Sequence, residues 1–258
     1  MEMSPDHSSD QPRDRSPDEI EFSMAVLCYR TERDIIPFIE NLHHIMSLFS
    51  FTWELVLVGN YWSGTSDETP RIVKDLSARL DHVRYIAEPK EGGMGWDMKM
   101  GLNACAGNYI GVIDGDGQFP VEAIFSCFAK IKSEDLDFVK TYRVIRSDGW
   151  VRNTISIGYN FLFKLLFPEY RGYRDANSKP KIIRRSAYER MTLTSTDWFL
   201  DAELVLNALE LDLRMYEIPI TFESLEVRPS FVKAGAIWEF TMNLFRYRLR
   251  MLRRRRSS

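Results

Sequence analysis

From Phe22 onward, short, mostly apolar runs alternate with segments whose apolar residues recur every three or four positions. The runs Met24–Tyr29, Glu54–Val58, Val83–Ala87, Tyr109–Ile113 and Phe138–Tyr142 read as strands. Between the first two, Ile35, Phe38, Ile39, Leu42, Ile45, Met46 and Phe49 share one face of a helix. Further helices are predicted from about Ser66 to Leu80, up to Ala106, and around Ile124, Phe125, Phe128 and Ile131. Mostly apolar strands alternating with helices predict a mostly parallel sheet covered on both faces. No internal repeat interrupts this α/β pattern, so residues 22–234 read as a single domain.

The flanks read differently. Residues 1–21 are rich in Ser, Pro and Asp without periodicity and are expected to be disordered. Within residues 235–258, Trp238, Met242, Phe245, Leu249 and Leu252 recur at helical spacing, with Arg246, Arg250 and Arg253 on another stripe. That is a basic amphipathic helix suited to an anionic membrane surface. Ile155 to Phe167 is a second candidate interfacial element, too short and too often interrupted to span a bilayer.

Composition narrows the class. An apolar fraction of 45% over 258 residues supports a sizeable core. The net charge of −3 is uninformative, but its distribution is not: residues 246–256 hold seven arginines and no acid, residues 1–20 six acids and two arginines. Cys28, Cys105 and Cys127 lie in apolar stretches without metal-ligand spacing and are expected to be buried thiols of a cytoplasmic protein. With no signal-peptide pattern and no spanning segment, a location peripheral to the cytoplasmic face of a membrane is expected.

The candidate chemistry lies in Asp114-Gly115-Asp116-Gly117-Gln118, directly after the fourth apolar run. Two carboxylates one residue apart, on a turn loosened by glycine, can face one hard divalent cation that shares phosphate oxygens as ligands. An EF-hand loop is excluded, because Phe119 and Phe125 fall where that loop requires Gly and Glu. An ordinary acidic β-turn remains the alternative for an isolated Asp-x-Asp. In open parallel sheets, however, ligands bind beyond the carboxyl ends of strands. Three polar segments, Tyr29–Thr31 and the glycine-bearing Gly59–Thr65 and Asp114–Gln118, fall on that rim.

Several segments, in order, resemble glycosyltransferase family 2. Glu54–Val58 with Ser63-Gly64-Thr65 is similar to the family's nucleoside-holding strand and turn. Gly93-Met94-Gly95, then Gly101 and Gly107, is similar to its Gly-x-Gly helix start. Asp114–Gln118 is similar to its metal motif. Asp175–Lys181 and Asp197–Glu203 resemble acceptor-side segments, and Ile218-Pro219-Ile220 leading to Arg228 resembles the domain's close. The resemblance covers roughly Met24 to Lys233 and points to the branch of polyprenol-phosphate glycosyltransferases that includes dolichol-phosphate mannose synthase. The chain departs from the family at Gly59-Asn60, where paired aspartates are frequent, and at Arg228–Lys233.

This resemblance implies a GT-A, Rossmann-like fold and a metal-dependent, inverting transfer of a sugar, mannose or glucose, from a nucleoside diphosphate to a polyprenol phosphate. Mg²⁺ or Mn²⁺ would be held by Asp116 and Gln118, with Asp114 toward the nucleotide. Tyr29, Glu32, Asn60, Gly93, Gly95 and Asp114 would contact the donor. Arg143, Lys181, Arg228 and Lys233 would bind the acceptor phosphate. Asp201 is the candidate general base, with Asp197 behind it, if the acceptor is instead a saccharide hydroxyl. A non-catalytic module whose arginine tail binds nucleic acid is disfavoured, because basic residues are confined to the tail and no reading helix appears. The oligomeric state is left open, a homo-oligomer included.

Overall fold

The computed structural model describes residues 20–146, 158, 160–222 and 234–257. Seven strands form one sheet in the order β3-β2-β1-β4-β6-β5-β7. They are β1 (Phe22–Leu27), β2 (Trp53–Val58), β3 (Val83–Ile86), β4 (Tyr109–Asp114), β5 (Phe138–Arg146), β6 (Lys181–Arg184) and β7 (Met215–Phe222). The helices are α1 (Ile35–Ser47), α2 (Thr69–Arg79), α3 (Met94–Ala104), α4 (Glu122–Ser133), the single turn α5 (Arg185–Tyr188), α6 (Leu200–Glu210) and α7 (Ala234–Ser257). A further helical stretch covers residues 160–166.

β1, β2, β3 and β4 are mutually parallel, as the apolar runs predict. The alternation along β1 shows why such a strand has no polar face. Phe22, Met24 and Val26 pack with α1, α2 and α4 on one side, whereas Ala25 and Leu27 pack with α3, α6 and α7 on the other. Each fully buried aliphatic or aromatic side chain in these two layers contributes about 1.5–3 kcal/mol. Glu54 fastens the lower edge: its buried carboxylate accepts from Ser23 Oγ at 2.7 Å, Arg84 Nε at 2.8 Å and the Ala106 backbone at 2.6 Å.

Two strands follow no long apolar run. β6 pairs antiparallel with both β4 and β5, and β5 pairs parallel with β7. Reversing one strand matters for the site. Lys181, at the start of β6, lies opposite Val112 near the carboxyl end of β4, so the residues entering β6 arrive on the functional rim.

Residues 20 and 21, just before the expected boundary at residue 22, already contact the domain. Ile20 is buried, and Glu21 donates its backbone N–H to Thr52 Oγ1 at 2.9 Å. Residues 1–19 lie outside the described residues. α7 is part of the domain rather than a detached tail. Leu244, Tyr247 and Met251 are buried in the core on one face, while Phe245, Leu249 and Leu252 are exposed on the neighbouring stripe. The 160–166 stretch is divided likewise, with Phe163 buried and Phe161 and Leu165 exposed. Among the described residues no helix is long and apolar enough to cross a membrane.

Candidate active site

β1, β2 and β4 end level with one another: Leu27 pairs with both Val58 and Asp114. The three polar segments therefore emerge side by side. The two glycines of the acidic turn serve different needs. A Cβ on Gly115 would lie 2.5 Å from Ile35 Cδ1, so the turn presses against α1. Gly117 has open space around it but a φ of +74°, a conformation side-chain-bearing residues avoid. Within this turn Asp116 Oδ1 accepts the Gln118 backbone N–H at 3.1 Å. Asp114, Asp116 and Gln118 are all partly exposed at the rim.

Behind the turn lies a chain of buried charges. Lys179, 2% exposed, places Nζ 3.1 Å from Asp114 Oδ1, 3.2 Å from Asp114 Oδ2 and 3.0 Å from Asp201 Oδ2. Lys181, fully buried, pairs with Asp201 Oδ1 and donates to the Ser178 carbonyl at 2.8 Å. Asp201 comes from the first turn of α6. The lysines respond oppositely to this setting. Burial disfavours charge on Lys179, but the carboxylates of Asp114 and Asp201 outweigh it and hold its pKa above the ordinary value. Burial dominates at Lys181, which has one carboxylate and feels Lys179 and Lys140 as like charges; its pKa falls to about 8.

On the β2 side, Asn60 is fully buried and its amide is engaged. Nδ2 donates to Asp97 Oδ1 at 2.9 Å, and Oδ1 accepts the Glu88 N–H at 2.8 Å. Asp97 pairs with buried Lys90, whose Nζ lies 4.5 Å from the centre of the Tyr29 ring. Burial raises the Asp97 pKa, opposed by Lys90 and Asn60. Tyr29 is partly exposed, and Glu32 is exposed, with its N–H donating to Thr69 Oγ1 at 2.9 Å.

Gly93 and Gly95 have a packing explanation. A Cβ on Gly95 would lie 2.3 Å from the Asp197 carbonyl oxygen, and one on Gly93 3.2 Å from that of Thr196. The start of α3 thus abuts the backbone leading into α6. Asp197 orders the turn ahead of α6, accepting the Phe199 N–H at 2.8 Å, and also accepts from Asn243 of α7 at 2.9 Å. Asp197 is therefore engaged away from Asp201.

Arg143 on β5 forms a two-pronged pair with Asp175, Nε to Oδ2 at 2.6 Å and an outer nitrogen to Oδ1 at 2.7 Å. Nearby, buried Lys140 pairs with Glu217 and donates to the Arg174 and Asp175 carbonyls at 2.5 and 3.2 Å. Arg228 and Lys233 lie outside the described residues. The structure thus brings together Asp114, Asp116, Gln118, Asp201 and Lys181, with Tyr29 and Asn60 in a second polar cluster on the β2 side. Sequence reasoning missed Lys179 and Lys90. Each falls in a polar segment where lysine ordinarily signals solvent, and only the fold shows the carboxylates that meet them, Asp97 for Lys90 and Asp114 and Asp201 for Lys179.

The acidic turn offers hard oxygen donors only. Among the described residues no group of three or more His, Cys, Asp or Glu side chains gathers as a self-contained metal cage. A divalent cation shared with a diphosphate needs none, since one or two carboxylates suffice beside phosphate and water oxygens. Asp116 and Gln118, with Asp114 alongside, fit such a role.

The chain is similar to several proteins named for sugar transfer. A dolichyl-phosphate beta-glucosyltransferase (ALG5C) of Trichomonas vaginalis is 23% identical over 247 residues, 89% of this chain and 71% of that protein. A dolichol-phosphate mannosyltransferase of Pyrococcus furiosus is 24% identical over 217 residues, 80% and 60% of the respective lengths. The fold matches mannosyl-3-phosphoglycerate synthase from Rubrobacter xylanophilus with a TM-score of 0.71 at 14% identity, over 92% of this chain and 75% of that one. It also matches glucosyl-3-phosphoglycerate synthase from Mycobacterium tuberculosis, solved with Mn²⁺, uridine diphosphate and product, with a TM-score of 0.66 at 16% identity, over 89% and 80%. These likenesses establish the GT-A architecture. Residues 23–192 match the family model described as glycosyl transferase family 2, and the chain belongs to that family and is a glycosyltransferase.

Proposed function

We propose that this enzyme transfers a hexose, mannose or glucose, from a nucleoside diphosphate to a polyprenol phosphate at the cytoplasmic face of a membrane. The anomeric carbon–oxygen bond to the donor's diphosphate breaks, a bond to an acceptor phosphate oxygen forms, and the nucleoside diphosphate departs. Attack opposite the leaving group inverts the anomeric centre. The observation that carries this reading is the acidic turn Asp114–Gln118 at the carboxyl end of β4, level with the ends of β1 and β2. A Mg²⁺ or Mn²⁺ ion held by Asp116 and Gln118 would neutralise the charge that develops on the leaving diphosphate.

The remaining steps belong to the chain's own groups. Tyr29 and the Asn60 cluster line the donor side, and Asp114 orients the diphosphate end. A phosphate acceptor is largely ionised near neutral pH, its second pKa being about 6, so it needs cations rather than a base. Asp201 supports this reading: both its oxygens accept from lysine ammoniums, which makes it a counter-ion rather than a group available for a substrate proton. Arg143, Arg228 and Lys233 are the proposed acceptor-side cations; Lys181, expected among them, is fully buried on Asp201 and acts through that carboxylate. The dolichyl phosphate named for the relatives supports a lipid acceptor. Exposed Phe161, Leu165, Phe245, Leu249 and Leu252, with the arginines of α7, supply a surface suited to anionic lipid.

The test is a transfer assay with purified full-length protein, Mg²⁺ or Mn²⁺, labelled GDP- and UDP-sugars, and polyprenol phosphate in detergent. One donor should give a metal-dependent, organic-extractable product. Asp116→Ala should abolish it without unfolding the protein, whereas Asp201→Asn should retain substantial activity. Transfer to added saccharides instead, with Asp201→Asn as inactive as Asp116→Ala, would establish a hydroxyl acceptor.

A further inference from the structure

The acidic turn faces a cation supplied by the chain itself. Lys179 has three N–H donors, and three carboxylate oxygens lie within 3.2 Å of its nitrogen: both of Asp114 and one of Asp201. Its hydrogen bonds go to Asp114 Oδ2 and Asp201 Oδ2, and burial at 2% exposure closes the ammonium to solvent and to a substrate phosphate arriving from it. Its role therefore acts through the carboxylates it touches. Those carboxylates come from different elements, Asp114 from the end of β4 and Asp201 from α6, while Lys179 belongs to the segment entering β6.

We propose that Lys179 is a positioning residue and built-in counter-charge: its ammonium, shared between Asp114 and Asp201, sets how tightly the acidic turn holds a divalent cation and passes the charge of Asp201 to that turn. This inference rests on the reading of Asp114–Gln118 as a metal–diphosphate site. Lys179 thereby offsets part of the negative charge that Asp114 and Asp201 bring to the rim, limiting the turn's affinity for a divalent ion before the diphosphate arrives. Asp114 is not saturated by the contact, because a carboxylate offers about four lone-pair sites.

The arrangement has a consequence that packing alone does not produce. Removing the Lys179 charge releases Asp114 toward the cation and tightens metal binding. Removing the Asp201 charge leaves Lys179 to Asp114 alone and weakens it. Two substitutions at residues in direct contact thus shift metal affinity in opposite directions. A purely structural role would loosen the turn, and weaken binding, in both.

The experiment is titration of full-length protein with Mn²⁺, free ion being read by electron paramagnetic resonance, with and without uridine diphosphate; circular dichroism confirms folding. Lys179→Gln should bind Mn²⁺ at least about tenfold more tightly than wild type, the effect one nearby unit charge retains on a divalent ion even under near-aqueous screening. Lys179→Arg, which keeps the charge, should match wild type. Asp201→Asn should bind severalfold more weakly, and Asp116→Ala should lose the ion. Folded Lys179→Gln with unchanged or weaker Mn²⁺ binding overturns the inference. If that variant does not fold, Asp201→Asn decides, and undiminished affinity there overturns it. A wild-type protein that takes up no Mn²⁺, alone or with uridine diphosphate, overturns the metal reading and the inference with it. That failure is distinct because it appears before any substitution is made.

Discussion

Gly95→Ala tests whether the glycines at the start of α3 admit a ligand or a neighbouring backbone. The added Cβ would lie 2.3 Å from the Asp197 carbonyl oxygen, 3.0 Å from the Asp197 nitrogen and 2.9 Å from Leu200 Cβ. Ordinary contact begins at 3.4 Å, so the nearest approach is about 1 Å too close. Two of the three obstructing atoms are backbone, and no rotamer change removes them. Overpacking of this kind costs about 1–3 kcal/mol. The helix preference of Ala over Gly returns at most about 1 kcal/mol, and less near a helix end. A net loss of about 2 kcal/mol is expected, or about 4–8 °C in Tm for a fold of this size. Gly117→Ala, strained only by its positive φ, should cost about 1–2 kcal/mol. Urea unfolding followed by far-UV circular dichroism gives both values, and titration with uridine diphosphate reports donor binding in the folded protein. Gly95→Ala should lose stability first and affinity second, because the displaced backbone carries Asp197, which ties the entry into α6 to α7. An unchanged midpoint with abolished nucleotide binding would refute the packing argument and restore the glycine to the ligand.

Two further outcomes follow from the same geometry. The folded-state pKa of Lys181, lowered by burial to about 8 from 10.5, means that the unfolded chain binds more protons than the native one between those values; stability should therefore rise with pH there, by at most about 1.4 kcal/mol per unit. Lys181→Met should flatten that slope in denaturant titrations between pH 8 and about 9.5, and an unaltered slope would show that Lys181 does not titrate there. On α7, replacing Phe245, Leu249 and Leu252 together by Ser should weaken sedimentation with phosphatidylserine vesicles by more than about tenfold at low salt and leave Tm unchanged. Leu244→Ala, in the buried face, should instead cost about 2–5 kcal/mol of stability; equal vesicle binding by the triple variant would remove the membrane surface from the proposed function.

What the sequence made legible was the part of the molecule that repeats locally. β1, β2 and β4 are apolar on both faces because both faces are covered, and their runs announced themselves. The acidic turn could be placed on the rim because it directly follows such a run. β6 gave no comparable signal: Lys181-Ile182-Ile183-Arg184 is short and bounded by charges, and its reversal is set by pairing with strands on either side. The glycines before α3 looked like a ligand loop because their packing partner, Asp197, is about a hundred residues away. α7 showed its arginines and outward apolar stripe, but the buried face through Leu244, Tyr247 and Met251 was hidden between them in the same helical repeat. Lys179 is the clearest case. A lysine beside Ser, Pro and another lysine reads as solvated, and burying it alone would cost several kcal/mol. Asp114, 65 residues earlier, and Asp201, 22 later, make that burial tolerable. Local patterning thus locates the carboxylates, whereas the charge that balances them is settled only when β4, β6 and α6 converge on the rim.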